Sequence, residues 1–124
     1  MSNIYDMDTT TISGPELKAT LQGLGIPPSW FADRVGVTMR TVVRWFDVDA
    51  VPDRAAAELA TLNRQTLTEM HQVLSRSQDN GVVHTFRTDK DTSDGLPASW
   101  HRSLVFRVID HLKSNDLPFE VRYF

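Results

Sequence analysis

The side chains that could do chemistry cluster around two arginines, Arg40 and Arg44, which stand four residues apart. Residues at this spacing share one face of a helix, so a helix here would present both guanidinium groups together. A guanidinium holds its N–H donors in a fixed fork that fits a carboxylate, a phosphate or the edge of a guanine. Met39 and Val43 are apolar and could contact a thymine methyl group. These residue types suit contacts with base pairs, provided that neighbouring elements present them on an exposed helix face.

Each of these candidate contacts also has a plainer interpretation. Arg40 is the first candidate for a bidentate hydrogen bond to a guanine, and the alternative is a solvated charge. Arg44 could contact a phosphate or pair with Asp47, which follows three residues later on the same helix face. Thr38 stands at the start of the helix, where its hydroxyl could cap the backbone and contact a phosphate as well.

Further contacts are expected from the first turn of the preceding helix. Pro28 can open that helix because a first turn does not need its missing N–H group. Ser29 follows, where free N–H groups favour an anion, and simple solvation of the serine is the alternative. The complete set of candidate contacts is Pro28, Ser29, Thr38, Met39, Arg40, Thr41, Val43 and Arg44.

The elements that must position these side chains are two short helices joined by a tight turn. Ala32 is small enough to let two helices nearly touch, and Gly36, four residues later, tolerates the positive φ that the turn requires. This pattern predicts a helix-turn-helix whose second helix, starting at Met39, shows the arginines on its outer face, where a recognition helix enters the major groove. The apolar residues that would clamp the second helix onto the first are Phe31, Val35, Val37, Val42 and Trp45.

The segment resembles the lambda-repressor-like helix-turn-helix family, of the Cro/C1 and xenobiotic-response-element type. The resemblance covers roughly residues 13–62 and rests on Gly25-Ile26, the core from Ala32 to Thr38, the run from Thr41 to Trp45, and Val51-Pro52. It implies a five-helix N-terminal DNA-binding unit. Where the family commonly has a polar turn containing glycine, this chain has residues 46–49, Phe-Asp-Val-Asp, so the phosphate contact usual at that turn is not implied here.

More narrowly, the chain resembles the small regulators that autorepress anti-CRISPR operons. Those regulators pair the same N-terminal unit with a long linking helix and a compact α+β C-terminal dimerisation unit. Total length, a long helix from Pro52 and the stretch from Trp100 to Tyr123 carry this resemblance. It implies a homodimer that is held together by the C-terminal unit.

Hydrophobic periodicity extends the prediction to the rest of the chain. Ser13 and Glu16 have the spacing of a capping box, and leucines at 17, 21 and 24 form one apolar helix face that Gly25 can terminate. A long helix is expected from Pro52 to about residue 78. A strand over 82–87, a charged loop over 88–96, a helix from Ser99 and a closing strand over 119–123 follow.

This order predicts an α+β protein with three parts. They are a flexible acidic arm at residues 1–12, a helix-turn-helix domain at 13–65 and a small β-α-β dimerisation domain at 80–124, with the long helix joining the two domains.

The C-terminal unit has more apolar side chains than one β-α-β unit can cover. Two short strands are also marginally stable by themselves. A two-fold dimer would bury the excess, and dimeric regulators of this kind read palindromic sites. The candidate dimerisation residues are Phe86, Trp100, Leu104, Val108, Leu112, Phe119, Val121 and Tyr123.

Composition excludes several other classes of protein. A chain of 124 residues holds one domain or two very small ones. It contains no cysteine, which removes disulfides and thiolate chemistry and fits a reducing compartment. The four histidines, at 71, 84, 101 and 111, lack metal-ligand spacing, and no phosphate loop or nucleophile elbow is present. We therefore expect no cofactor, no metal and no enzymatic activity, and neither a secretory leader nor a membrane span.

The net charge of −3 is unevenly distributed. Residues 1–13 contain two acidic residues and no basic ones, whereas residues 14–65 contain six acidic and six basic residues. The predicted helix-turn-helix unit is therefore neutral, and few DNA phosphates would be neutralised. Weak non-specific affinity and a shallow salt dependence are expected, with base contacts and dimerisation carrying the binding.

The sequence thus predicts a cytoplasmic, sequence-specific DNA-binding repressor of prokaryotic or phage origin, associated with the nucleoid when bound. Its partners would be double-stranded DNA with a palindromic operator in its own operon, and a second copy of the chain. The alternative is an antitoxin or other interaction module whose C-terminal unit binds a partner protein, with DNA binding secondary.

Overall fold

The structure is a computed structural model that describes residues 11–88 and 95–124. In these ranges the chain forms five α-helices and two β-strands, so it is a mixed α and β protein dominated by helix, as the sequence predicts. Residues 1–10 of the predicted arm and 89–94 of the predicted loop lie outside the described residues. In chain order the elements are α1 Gly14–Leu24, α2 Pro28–Val35, α3 Met39–Trp45, α4 Asp53–Asn80, β1 Val82–Thr85, α5 Ala98–Ser114 and β2 Glu120–Tyr123.

The chain divides into two compact units between Arg64 and Gln65, within α4. We call residues 1–64 unit 1 and residues 65–124 unit 2. Unit 2 therefore contains the C-terminal half of α4, whereas the sequence predicts that this segment only connects the two domains. In the described part of unit 1, residues 11–64, α1, α2, α3 and the first turns of α4 are the helices, and the fifth helix that the family resemblance implies is not among them.

Local sequence signals define the helix ends of unit 1. The Ser13 hydroxyl accepts a hydrogen bond from the Glu16 amide at 3.1 Å, which confirms the predicted cap of α1. Gly25 ends α1 in the left-handed conformation, with φ of 70°. The apolar faces meet in a core whose main members are Leu17, Leu21, Leu24, Ile26, Phe31, Ala32, Val42, Trp45, Val51, Ala55, Leu59 and Leu62.

The start of α1 lies directly against the chain that follows α3. Gly14 donates its amide to the Val48 carbonyl at 2.9 Å, and Val51 donates to the Ile12 carbonyl at 3.0 Å. A Cβ at position 14 would collide with the backbone of Trp45 and Phe46. Only glycine therefore allows this approach, which anchors the unusual turn after α3 to the first turn of α1.

In unit 2, α5 connects two parallel strands in a β-α-β arrangement. The register pairs Val82 with Glu120 and Thr85 with Tyr123. The predicted first strand was two residues too long, because pairing with the four-residue β2 ends at Thr85. The core of this unit is formed mainly by Val73, Val83, Leu96, Ala98, Trp100, Leu104, Val105, Val108 and Leu112.

A buried hydrogen bond joins α5 to the C-terminal half of α4. Trp100 donates from Nε1 to the Thr66 hydroxyl at 2.8 Å, and both residues are almost completely buried. An indole N–H in an apolar core needs such an acceptor, because leaving it unpaired costs roughly 1–3 kcal/mol. This half of α4 is thus part of the core of unit 2.

Candidate functional site

The candidate site begins with the turn between α2 and α3. Gly36 has φ of 79°, a conformation that side chains with a Cβ rarely adopt. The amides of Gly36 and Val37 both donate to the Ala32 carbonyl, at 2.9 and 3.0 Å. A Cβ at position 36 would meet open space, so the backbone angle alone explains the glycine. Ala32 and Gly36 therefore have the local geometry that the sequence pattern predicts, and α2 packs against α3.

The orientation of α3 about its own axis follows from its cap and its apolar residues. The Thr38 hydroxyl accepts a hydrogen bond from the Thr41 amide at 3.2 Å and so caps the helix. Val42 is fully buried and Trp45 is buried at the end of the helix. With these two side chains directed into unit 1, the opposite face of α3 is open to solvent.

The exposed face of α3 carries the side chains that the sequence analysis selected. Met39 is 52% exposed and Val43 is 44% exposed, so this face has an apolar part. Arg40 and Arg44 are exposed beside them. The structure therefore brings two cations and two apolar side chains together on one surface of a short helix.

The two arginines differ in their contacts. Arg44 donates from Nη2 to the Thr41 hydroxyl at 3.4 Å, and Thr41 in turn lies 3.1 Å from the Thr38 hydroxyl. The predicted alternative for Arg44, a pair with Asp47, is not the contact that is formed. Arg40 has no ion pair or hydrogen-bond partner within residues 11–88 and 95–124. Its guanidinium donors are thus available for a ligand.

The N-terminus of α2 contributes backbone donors. Pro27 is the N-cap and provides no side-chain hydrogen bond, so the first-turn amides are not capped by a side chain. Ser29 is exposed and Pro28 is half-buried in this turn. Backbone amides at the start of a helix carry partial positive charge and favour an anion.

An ion pair holds the opposite end of α2 against the first turns of α4. Arg34 contacts Glu58 through Nε and Oε2 at 3.0 Å, and its guanidinium lies over the Trp30 ring at 5.2 Å from the centroid. Trp30 is therefore partly covered by the Arg34 side chain. Because Arg34 is neutralised in this way, it adds little to the positive charge of the site.

Unit 2 separates the predicted dimerisation residues into two groups. Four of them are buried in its core, to which the C-terminal half of α4 contributes: Trp100, Leu104, Val108 and Leu112. They are therefore not available to a second copy, contrary to the prediction. Val121 and Tyr123 are exposed on β2, while Phe86 and Phe119 are half-buried. The physical reason is that unit 2 begins at Gln65, so more helix is present than a domain starting at residue 80 would have.

Large apolar side chains outside the predicted set are also exposed in unit 2. Phe106 on α5 and Phe124 after β2 are each 68% exposed, and Leu67 on α4 is 57% exposed. Leu67 follows Thr66 directly and so lies outside the helical period of the buried residues of α4. Its position on the outer side of α4 agrees with that period.

Aromatic rings surround His101 in unit 2. Phe86 meets its ring edge-on at 4.8 Å, and Phe124 lies 5.8 Å from it. Glu69 lies 3.9 Å from Nε2 of His101 and also contacts Arg76 at 3.4 Å. This cluster contains a carboxylate, a guanidinium and an imidazole. The aromatic rings enclose the imidazole, however, and His101 is only 5% exposed. The cluster has the character of a packed core rather than of an open reaction centre.

Metal and membrane sites can be assessed for the described part of the chain. Within residues 11–88 and 95–124, no group of three or more histidine and acidic side chains could hold a metal ion. None of the helices in these ranges has the length and apolarity to cross a bilayer.

Comparison with known proteins adds no assignment. No model of a protein family matches the chain, and no curated protein matches it in sequence. The function must therefore be argued from the exposed face of α3 and its surroundings.

Proposed function

We propose that this protein is a sequence-specific DNA-binding repressor that acts as a homodimer in the cytoplasm and has no enzymatic activity. The observation that carries the proposal is the exposed face of α3, where Arg40, without a partner in the described residues, lies beside exposed Met39 and Val43. The major groove presents hydrogen-bond acceptors and thymine methyl groups side by side. An unpaired arginine beside exposed apolar side chains is suited to contact both.

The surrounding contacts support distinct roles for the remaining residues. Arg44 is restrained by Thr41 and is suited to a fixed contact with a phosphate. Thr38 caps α3 with its hydroxyl oxygen, and the hydrogen of the same hydroxyl would donate to a DNA phosphate. Ser29 and the amides at the start of α2 would bind a second phosphate. In this assignment phosphate contacts position the helix, and Arg40 reads a guanine.

A homodimer follows from the geometry of such sites. Two copies of α3 related by a two-fold axis would occupy half-sites about one helical turn, ~34 Å, apart on a palindrome. Occupation of a promoter by this dimer would block transcription, and the operon that encodes the protein is the first candidate target. The exposed apolar side chains of β2 in unit 2 supply a surface that supports self-association.

The test begins with selection of bound sequences from random duplex DNA by the full chain. The selected site is then used in fluorescence anisotropy with the wild type, Arg40→Ala and the control Arg54→Ala, which removes the same charge from α4 in the same unit. Arg40→Ala should weaken binding to the selected site by roughly 1–3 kcal/mol, or about 5- to 150-fold, and relax selection at one base pair. Arg54→Ala should have a much smaller effect.

Two results would change the proposal. Equal losses on selected and random DNA for Arg40→Ala would reassign Arg40 to a phosphate contact. Failure to select any sequence, together with a stable complex with a different protein, would favour the interaction-module alternative over the repressor.

A further inference from the structure

One edge of β2 is paired and the other is not. Glu120 donates its amide to the Gly81 carbonyl at 2.8 Å, and Phe124 donates to the Thr85 carbonyl at 3.0 Å. Backbone groups alternate in direction along a strand, so the amides and carbonyls of Val121 and Tyr123 point to the opposite edge. Within residues 11–88 and 95–124, the sheet has only β1 and β2, and no strand pairs with this edge.

The unpaired edge is continuous and carries exposed apolar side chains. Val121 and Tyr123 are 43% and 53% exposed, and no proline or bulge interrupts the four residues of β2. Exposed edges of this kind are templates for another strand. The apolar side chains at alternate positions would gain cover if a strand were added.

The same strand from a second copy is a self-complementary occupant. A two-fold axis through the edge pairs the two copies of β2 antiparallel. If Val121 faces Val121 of the second copy, Glu120 of each copy lies opposite Arg122 of the other copy. Phe119 then lies opposite Tyr123 of the second copy. A register centred on Arg122 also matches the backbone groups, but it would place two guanidinium groups directly opposite each other, which is unfavourable, as would be two carboxylates in a register centred on Glu120.

We propose that two copies of this protein associate by antiparallel pairing of their β2 strands in the register centred on Val121, forming a continuous four-stranded sheet. This inference rests on the proposed homodimer and names its interface. Glu120 and Arg122 already bond within one chain, at 2.8 and 3.0 Å. In the pair, each carboxylate gains a second guanidinium, so the four side chains form an alternating charged cluster across the axis.

Single-cysteine cross-linking tests the register, since the chain contains no cysteine of its own. Directly opposed residues in an antiparallel hydrogen-bonded pair have Cα atoms about 5.5 Å apart, within reach of a disulfide. Val121→Cys should therefore give a rapid covalent dimer under mild oxidation. Arg122→Cys should react slowly, because its diagonal Cα separation exceeds roughly 7 Å. Lys113→Cys, exposed on α5, is the control for random collision.

Charge exchange tests the pairing without a covalent bond. Glu120→Arg and Arg122→Glu each place like charges across the axis, and each alone should weaken the dimer by roughly 2- to 30-fold in sedimentation. Mixing the two variants should restore association as a heterodimer. An intrachain role for the pair would not be rescued by mixing, because each chain keeps its own like charges. Circular dichroism of each variant checks that the monomer is folded.

The outcomes separate this inference from the proposed function. A wild-type dimer in which Val121→Cys cross-links no faster than Lys113→Cys overturns the β2 interface and leaves the DNA-binding proposal intact. Fast cross-linking of Arg122→Cys in place of Val121→Cys overturns the register. A dimer that cross-links as expected but selects no DNA sequence would support the β2 interface and contradict the proposed repressor function.

Discussion

The two units expose surfaces of opposite character. In unit 1 the exposed face of α3 combines arginines with small apolar patches, and its backbone hydrogen bonds lie within the helix. In unit 2 the exposed surface is one edge of β2, and no strand of the described residues pairs with it. Val121 and Tyr123 are exposed on this strand. The first surface is suited to read another molecule through side chains, and the second to extend a sheet through its backbone.

This difference has a basis in how each unit is built. Unit 1 assembles from helices whose ends are defined by adjacent residues such as Ser13 and Gly36. Unit 2 depends on a parallel pair formed between β1 and β2, which are separated in sequence by the whole of α5. A sheet of two short strands is marginally stable by itself, so the association that we propose would stabilise unit 2.

Removing the core of unit 1 should have the largest effect on stability. Phe31 is fully buried, and Phe31→Ala should lower the free energy of unfolding by about 3–5 kcal/mol because it leaves a large cavity. Urea unfolding followed by tryptophan fluorescence measures the loss. Val43→Ala, on the exposed face of α3, is the control and should change stability by less than roughly 0.5 kcal/mol. Similar losses for both variants would mean that α3 is not packed as described.

Gly14→Ala should be the next most disruptive change. The added methyl group meets backbone atoms of Trp45 and Phe46, which cannot rotate away, so the loss should approach the upper end of roughly 1–3 kcal/mol. Gly23→Ala is the matched control, because it adds the same methyl group to an exposed position of α1. That variant should be stabilising by up to about 1 kcal/mol. Thermal unfolding of both should show opposite signs, and a Gly14→Ala variant as stable as the wild type would contradict the close approach.

In unit 2, Thr66→Val tests the buried hydrogen bond of Trp100. Valine keeps the volume of threonine but cannot accept from the indole N–H, so stability should fall by roughly 1–2 kcal/mol. Trp100→Phe in the Thr66→Val background removes the indole N–H that Thr66→Val leaves without this acceptor. A double-mutant cycle by urea unfolding gives the coupling between the two residues, and a coupling near zero would argue against the bond.

The smallest effect concerns the charges on β2. Arg122 donates two hydrogen bonds to Glu120 and holds the pKa of that carboxyl below its ordinary value. Because the folded pKa is the lower one, the stabilisation is present above the unfolded pKa and is lost as the pH falls through the folded pKa. Arg122→Ala should raise the pKa of Glu120 toward its ordinary value, as seen by NMR titration of the carboxyl carbon. If the pKa of Glu120 were the same in Arg122→Ala as in the wild type, the two side chains would not be in contact in solution.

Much of unit 1 could be predicted because its signals are local. The predicted cap at Ser13, the end of α1 at Gly25 and the positive φ at Gly36 all depend on neighbouring residues, and the structure confirms them. The close approach at Gly14 could not be predicted in this way. It depends on where the chain after α3 returns, which involves residues far away in the sequence.

The prediction for unit 2 was weaker for the same physical reason. Helical period identified apolar residues of α5 such as Leu104 and Leu112, but burial depends on which other elements cover them. Half of α4 belongs to this unit, so residues assigned to a dimer surface pack inside one chain. The alternation along β2 was visible in the sequence, whereas its free edge becomes apparent only from the register of the strands.

The two backbone hydrogen bonds between Gly14 and Val48 and between Val51 and Ile12 also impose an order of events during synthesis. On a ribosome, α1 emerges first and can form turns, but its first amide has no carbonyl to bind until Val48 has left the exit tunnel. The loop between these partners must then close against its own entropy. The amides of Gly14 and Val51 should therefore become protected from hydrogen exchange together, and only after the turns of α1 have formed.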